Sequence, residues 1–165
     1  MGLLTEYFAA TPEQTAAIDI HAGPTGLAHE PGRQETSSPD GTTEAPRRIE
    51  DVLDVAGVEP TVTMATLEAI LTGADAMDII HEGSVELIAD GGPDGPWLYA
   101  LRPQLQAALL STPPDGWQAV AERWAATDEL VGMPVDVAVS FLERLAALAR
   151  GVGEHGQRLY CWVSL

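Results

Sequence analysis

The chain contains no lysine and no asparagine: all eight of its basic residues are arginine, against 25 acids. Without lysine there can be no Schiff base on a side-chain amine, no Walker-type ammonium on a phosphate and no kinase-type ion pair. Without asparagine there is no acceptor for an Asn-linked glycan. Cysteine is nearly absent as well. Cys161 stands alone, which excludes an intrachain disulfide and every CxxC metal or redox motif. No apolar run approaches the roughly 18 to 20 residues that cross a bilayer. Residues 1–7 carry neither the basic segment nor the long apolar segment of a secretory signal. These absences lead us to expect a cytoplasmic protein with no membrane partner.

Positive charge is the next shortage. The formal net charge is −17, and nucleic acids or anionic membranes need a basic surface that displaces counterions. We therefore expect no nucleic-acid partner, and a basic protein as the natural counterpart. The charge is not confined to one soft stretch. Residues 21–50 hold five of the acids and three of the arginines, which leaves twenty acids and five arginines, or −15, on the rest.

What the sequence does hold is enough apolar material for one core: 165 residues at 45% hydrophobic content suit a single domain spanning residues 1–165. Residues 21–48 interrupt it. Gly, Pro, Ser, Thr and Glu dominate there, and Leu27 is the only large aliphatic residue before Ile49. Such a segment buries too little to offset its ordering entropy, so it reads as a flexible insertion.

The strongest pattern lies at the far end. Ala138, Phe141, Leu142, Leu145, Leu148 and Ala149 recur at three- and four-residue steps, the stripe of an amphipathic helix. Gly151 and Gly153 are expected to end it, with Arg150 in the last turn where the helix dipole favours a cation. Residues 159–165 then read as a strand apolar on both faces, hence central or helix-covered. Upstream, residues 3–9 suggest a first strand, and Thr11-Pro12-Glu13-Gln14 has the hydroxyl, proline and glutamine of a capping box. Val52, Leu53, Val55 and Val58 form a short apolar stretch. Thr63 is expected to cap a helix that Gly73 ends, and residues 74–81 suggest another. Residues 85–89 and 97–101 flank a Gly/Pro-rich loop and predict a β-hairpin. Helices are expected after Pro103, around Trp117 to Trp124, and at the C-terminal stripe. Strands and helices do not alternate, so the fold class is α+β: a small, mostly antiparallel sheet packed against several helices.

The opening Met-Gly-Leu-Leu-Thr-Glu-Tyr-Phe-Ala, the helix closing in Leu71-Thr72-Gly73, the Trp97 strand leading into Leu101-Arg102-Pro103-Gln104-Leu105, and the C-terminal helix and strand resemble the layout of the YfbM-like family of small bacterial proteins. The resemblance touches most of the chain outside residues 21–48, and the insertion is a departure from it. It implies a compact single domain. That family has no assigned function, so no active-site residues carry over.

Several residue groups are candidates for chemistry. Asp75, Asp78, His81 and Glu82 would share one face of a continuous helix and offer oxygen and imidazole ligands to a divalent cation. The competing reading is a solvated acidic face, which the lack of a second histidine or cysteine favours. His21 and His29 fall in the insertion, where a metal would have to order the loop itself. Cys161 with His155 supplies a nucleophile and a base by type, yet Cys161 sits between Leu159 and Val163 on one strand face and reads as core. Ser164 and Thr5 lack an elbow motif such as GxSxG. Residues 91–95 lie between two strands beside acids, a hairpin loop rather than a phosphate cradle. Trp97 and Trp162, on strands, are expected in the core. Trp117 and Trp124, seven apart on a helix, read mostly as core as well, but one of them lining a groove would make a partner-binding anchor. No motif implies a cofactor. Two function classes remain: a non-enzymatic interaction or neutralising module that docks on a basic protein, and a ligand- or metal-binding enzyme with its site near Asp78, His81 and Glu82.

Overall fold

The computed structural model describes residues 2–25, 49 and 51–165, except for the side chains of residues 153–155. Within these residues five strands form one antiparallel sheet: β1 (Leu4–Ala10), β2 (Val52–Ala56), β3 (Val85–Asp90), β4 (Trp97–Leu101) and β5 (Arg158–Ser164), in the order β2-β1-β5-β4-β3. Among the described residues six α-helices accompany them: α1 (Pro12–Ala16), α2 (Val62–Thr72), α3 (Ala76–Glu82), α4 (Pro103–Ser111), α5 (Trp117–Ala125) and α6 (Val135–His155). This is the expected α+β architecture. Strand β5 is central, as its two apolar faces require, with Cys161 opposite Tyr7 on β1 and Tyr99 on β4.

The two-residue period of the strands sorts side chains between two cores. Tyr7, Leu53, Leu159, Cys161 and Val163 face the helices and join Met64 and Leu67 of α2, Leu105 and Leu109 of α4, Trp117 and Trp124 of α5, and Phe141, Leu142 and Leu145 of α6. Phe141 is the hub. Trp124 stacks on it at 5.6 Å between ring centroids, and Tyr7 meets it edge-on at 5.5 Å. The polar ends of these rings are not wasted: Tyr7 Oη donates to Val58 O at 2.7 Å and Trp124 Nε1 to Thr63 O at 3.1 Å. Each large side chain fully buried in this layer contributes about 1.5–3 kcal/mol.

On the opposite face of the sheet, Phe8, Ala10, Leu98, Ala100, Tyr160 and Trp162 form the second core. Among the described residues its cover comes from the chain that follows α1 and from Ile49, Val52 and Ala89. Ile18 and Ile20 pack on it, Trp162 Nε1 donates to Ile20 O at 2.7 Å, and Gly23 lies against the Trp162 ring. A Cβ at Gly23 would come within 3.4 Å of both that ring and Glu6 Oε2, and its φ of +77° suits glycine. The insertion expected from His21 is therefore shortened at its start, because turns at residues 21–25 are built onto Trp162. Residues 26–48, with His29, lie outside the described residues.

Helix ends follow the sequence in part. Thr11 and Gln14 make the capping box, and Gly73 closes α2 in the left-handed conformation. The start of α2 differs from expectation. Thr63 lies inside the helix, and the orphan amides are taken by Glu59, whose carboxylate accepts from the backbone N–H of Thr61, Val62 and Thr63 at 2.7, 2.7 and 2.8 Å. The hydroxyls of Thr61 and Thr63 also donate to it. Helix α6 runs past Gly151 and Gly153 to a left-handed cap at Gly156. Two interior glycines cost it about 1 kcal/mol each. The burial of Val152 against the core, 4% exposed, offsets part of that cost.

Candidate functional site

The four residues expected to share a cation-binding face are engaged separately. Asp75 caps α3, its Oδ1 accepting from Met77 N at 2.8 Å and Asp78 N at 3.3 Å. Glu82 pairs with Arg102 at 3.2 Å. Asp78 and His81 are exposed. Among the described residues no group of three or more His, Cys, Asp or Glu is placed to hold a metal ion.

Arg102, at the start of α4, organises this corner. Nε lies 3.2 Å from Glu68 Oε1 without hydrogen-bond geometry, and the two terminal nitrogens reach Glu82, Ile79 O and Gly83 O. The guanidinium thus ties α2 to the C-terminal end of α3. Burial pushes the Glu68 carboxyl above its ordinary range; Arg102 opposes that shift and Glu82 adds to it. This arrangement is structural, since every charge in it is answered from within the fold.

The nucleophile candidates are equally committed. Cys161 is fully buried, and desolvation raises its thiol far above the ordinary value. The Tyr7 hydroxyl beside it is also raised, first by burial and then by Cys161. Both groups are neutral at physiological pH. The side chain of His155 lies outside the described residues. Thr5 is buried with its hydroxyl on Val55 O, and Ser164 ends β5 next to the solvent. The loop at residues 91–95 is a hairpin loop, closed by Gly91 N donating to Pro96 O at 2.8 Å.

Trp124 is completely buried and cannot serve as a partner anchor. Trp117 is 4% exposed and borders a cleft of about 420 Å³ between α4 and α6, with Leu109, Pro114, Glu143 and Arg150. Their burial follows from the stripe they share with Ala121, which faces Phe141 and Leu142 in the helical layer.

Two further surface features stand out among the described residues. The first is a larger cleft, about 860 Å³, between edge strand β2 and α6. Ile49, Val52, Leu53 and Leu148 give it an apolar surface, and Gln14, Asp51, Arg144 and Gln157 supply polar groups. No single window of sequence signals it, because its walls come from β1, α1, β2, α6 and the turn before β5. The second is strand β3 at the opposite edge of the sheet. A register shift between Leu87 and Ala89 turns consecutive apolar residues outward, leaving Leu87 50% and Ile88 40% exposed. Glu86 and Asp90 flank them, both exposed, and Glu86 is bound at 3.1 Å by Arg158.

No family model matches the chain, and neither a curated protein nor a solved structure shows significant similarity to it. The site must therefore be read from its own chemistry.

Proposed function

We propose that this protein is a non-enzymatic interaction module that docks on a basic protein partner. One observation carries this reading: the edge strand β3 offers Leu87 and Ile88 to solvent between the carboxylates of Glu86 and Asp90. An exposed strand edge can accept an extended segment of another chain through backbone hydrogen bonds, with side chains setting specificity. The formal charge of −17 selects the partner's sign and speeds its approach. The partner segment this surface suits alternates basic residues with apolar ones. The YfbM-like resemblance contributes an expected layout and no site residues, so this reading stands without it. A ligand site at Asp78, His81 and Glu82 draws no support from the geometry, because among the described residues no three such side chains are placed together.

The test is capture from the host lysate at low salt with two baits: the wild type, and a variant carrying Glu86→Gln, Leu87→Ser and Asp90→Asn. A stoichiometric basic protein is expected on the wild type, released as salt rises and absent from the variant. Equal retention of the same proteins by both baits would refute docking at β3.

A further inference from the structure

Among the described residues strand β2 is held to the sheet from one side only, and its pairing with β1 contains a like-charge step. The register sets Glu6 directly opposite Asp54, on the face of the sheet that carries Phe8 and Trp162. Side chains so placed stand about 4.5–5.5 Å apart at Cβ, and two like charges there destabilise the pairing. Asp54 is open to water, whereas Glu6 is partly buried, with the turn at Gly23 packed beside its Oε2. No counter-charge relieves them. On its own face Glu6 is flanked by Leu4 and Phe8 along β1 and by Trp162 on β5. The turn beside it brings Asp19 and His21, both exposed and occupied with each other, Asp19 Oδ1 accepting from His21 N at 3.0 Å. Among the described residues the salt bridges use Arg102 and Arg158, and neither reaches this pair.

We propose that Glu6 and Asp54 form a proton-operated catch on this edge of the sheet: with both carboxylates charged β2 is held loosely against β1, and one proton bound to the pair draws the strand tight. Glu6 takes the proton, because burial first and the facing Asp54 second raise its carboxyl above the ordinary 4.5. When β2 parts from β1 that carboxyl loses both influences and returns toward its ordinary value. The paired state therefore binds the proton more tightly than the parted one. Closure is weakest above the raised value and strengthens as pH falls through it toward 4.5. Strand β2 is also one wall of the 860 Å³ cleft against α6, so the pair sets how firmly that wall is held.

Hydrogen–deuterium exchange on the full chain, corrected for the intrinsic pH dependence of amide exchange, tests this in peptides covering residues 51–57, with residues 97–101 of β4 as the reference. At neutral pH Glu6→Gln should raise the protection of β2 about two- to fivefold over the wild type, the span of a cross-strand like-charge cost, and leave β4 unchanged. As pH falls from about 7 to about 5 the wild type should climb toward the Glu6→Gln level while the variant stays flat. Asp54→Asn should raise β2 protection by itself and add nothing to Glu6→Gln, since either change removes the repulsion. Wild-type protection that does not change with pH, or Glu6→Gln protection equal to the wild type at neutral pH, would overturn the proposal. So would an Asp54→Asn effect that persists in full on Glu6→Gln, because relief of the general charge of −17 would then be its source.

Discussion

Glu59 is the most demanding test of the local physics described above. One half-buried carboxylate, two residues before the N-cap of α2, takes three backbone amides and two hydroxyls. In Glu59→Ala the amides of Thr61 and Val62 can turn to water, an ordinary cap loss of about 1 kcal/mol. Thr63 is different, because it is 1% exposed, and a buried donor left unsatisfied costs about 1–3 kcal/mol more. The expected loss is therefore about 2–4 kcal/mol in urea unfolding at neutral pH, with an unchanged slope in denaturant. Glu59→Gln keeps an acceptor and loses the charge, and should cost about half as much. The pH dependence supplies an independent check. Desolvation pushes the Glu59 carboxyl up, but the hydrogen bonds from Thr61 and Thr63 outweigh it and hold it below the ordinary 4.5. A lowered folded-state value means that this stabilisation is complete above the unfolded-state value and lost as pH falls through the folded one. The gap between wild type and Glu59→Ala must then narrow in acid. A gap below about 0.5 kcal/mol at neutral pH, smaller than a single ordinary cap, or a gap that persists unchanged through the acid transition, would refute the capping role.

Two further outcomes follow from buried groups. Arg102→Gln leaves Glu68 buried without its counter-charge and should cost about 3–5 kcal/mol; burial already raises the Glu68 carboxyl and loss of the guanidinium raises it further, so the cost is full at neutral pH and should shrink as pH falls through the variant's folded-state value, measurable by thermal melts into acid. Cys161 should resist a thiol reagent such as Ellman's in the native protein and react fully in denaturant; prompt labelling of the native form would contradict its burial.

Much of the fold was legible because it rests on local periodicity. The alternation in residues 159–165, apolar on both faces, places that strand at the centre of the sheet, and Thr11 with Gln14 announces the first helix through chemistry contained in four residues. Features that depend on distant partners were not legible. Helix α6 passes through two glycines because Val152 gains burial against a core assembled from other elements. Glu59 caps α2 from outside the position where a capping residue is ordinarily sought. The acidic face of α3 is divided by a neighbour twenty residues away, since Arg102 takes Glu82 while Asp75 serves its own helix. The β2–α6 cleft gathers residues from Ala9 to Gln157, so no pattern along the chain could have marked it.

The central place of β5 also sets an order of events. Strands β1 and β2 pair with each other, as do β3 and β4, and among the described residues only β5 joins the two pairs. A two-stranded ribbon is marginal by itself in water, so each half waits for a segment that leaves the ribosome after both. Pairing β1 with β5 also closes a loop of most of the chain, the kind of distant contact that slows folding. During that wait the edges of β1 and β4 that β5 will join stand unpaired, and they are the parts of the nascent chain on which a chaperone's protection would have the most effect.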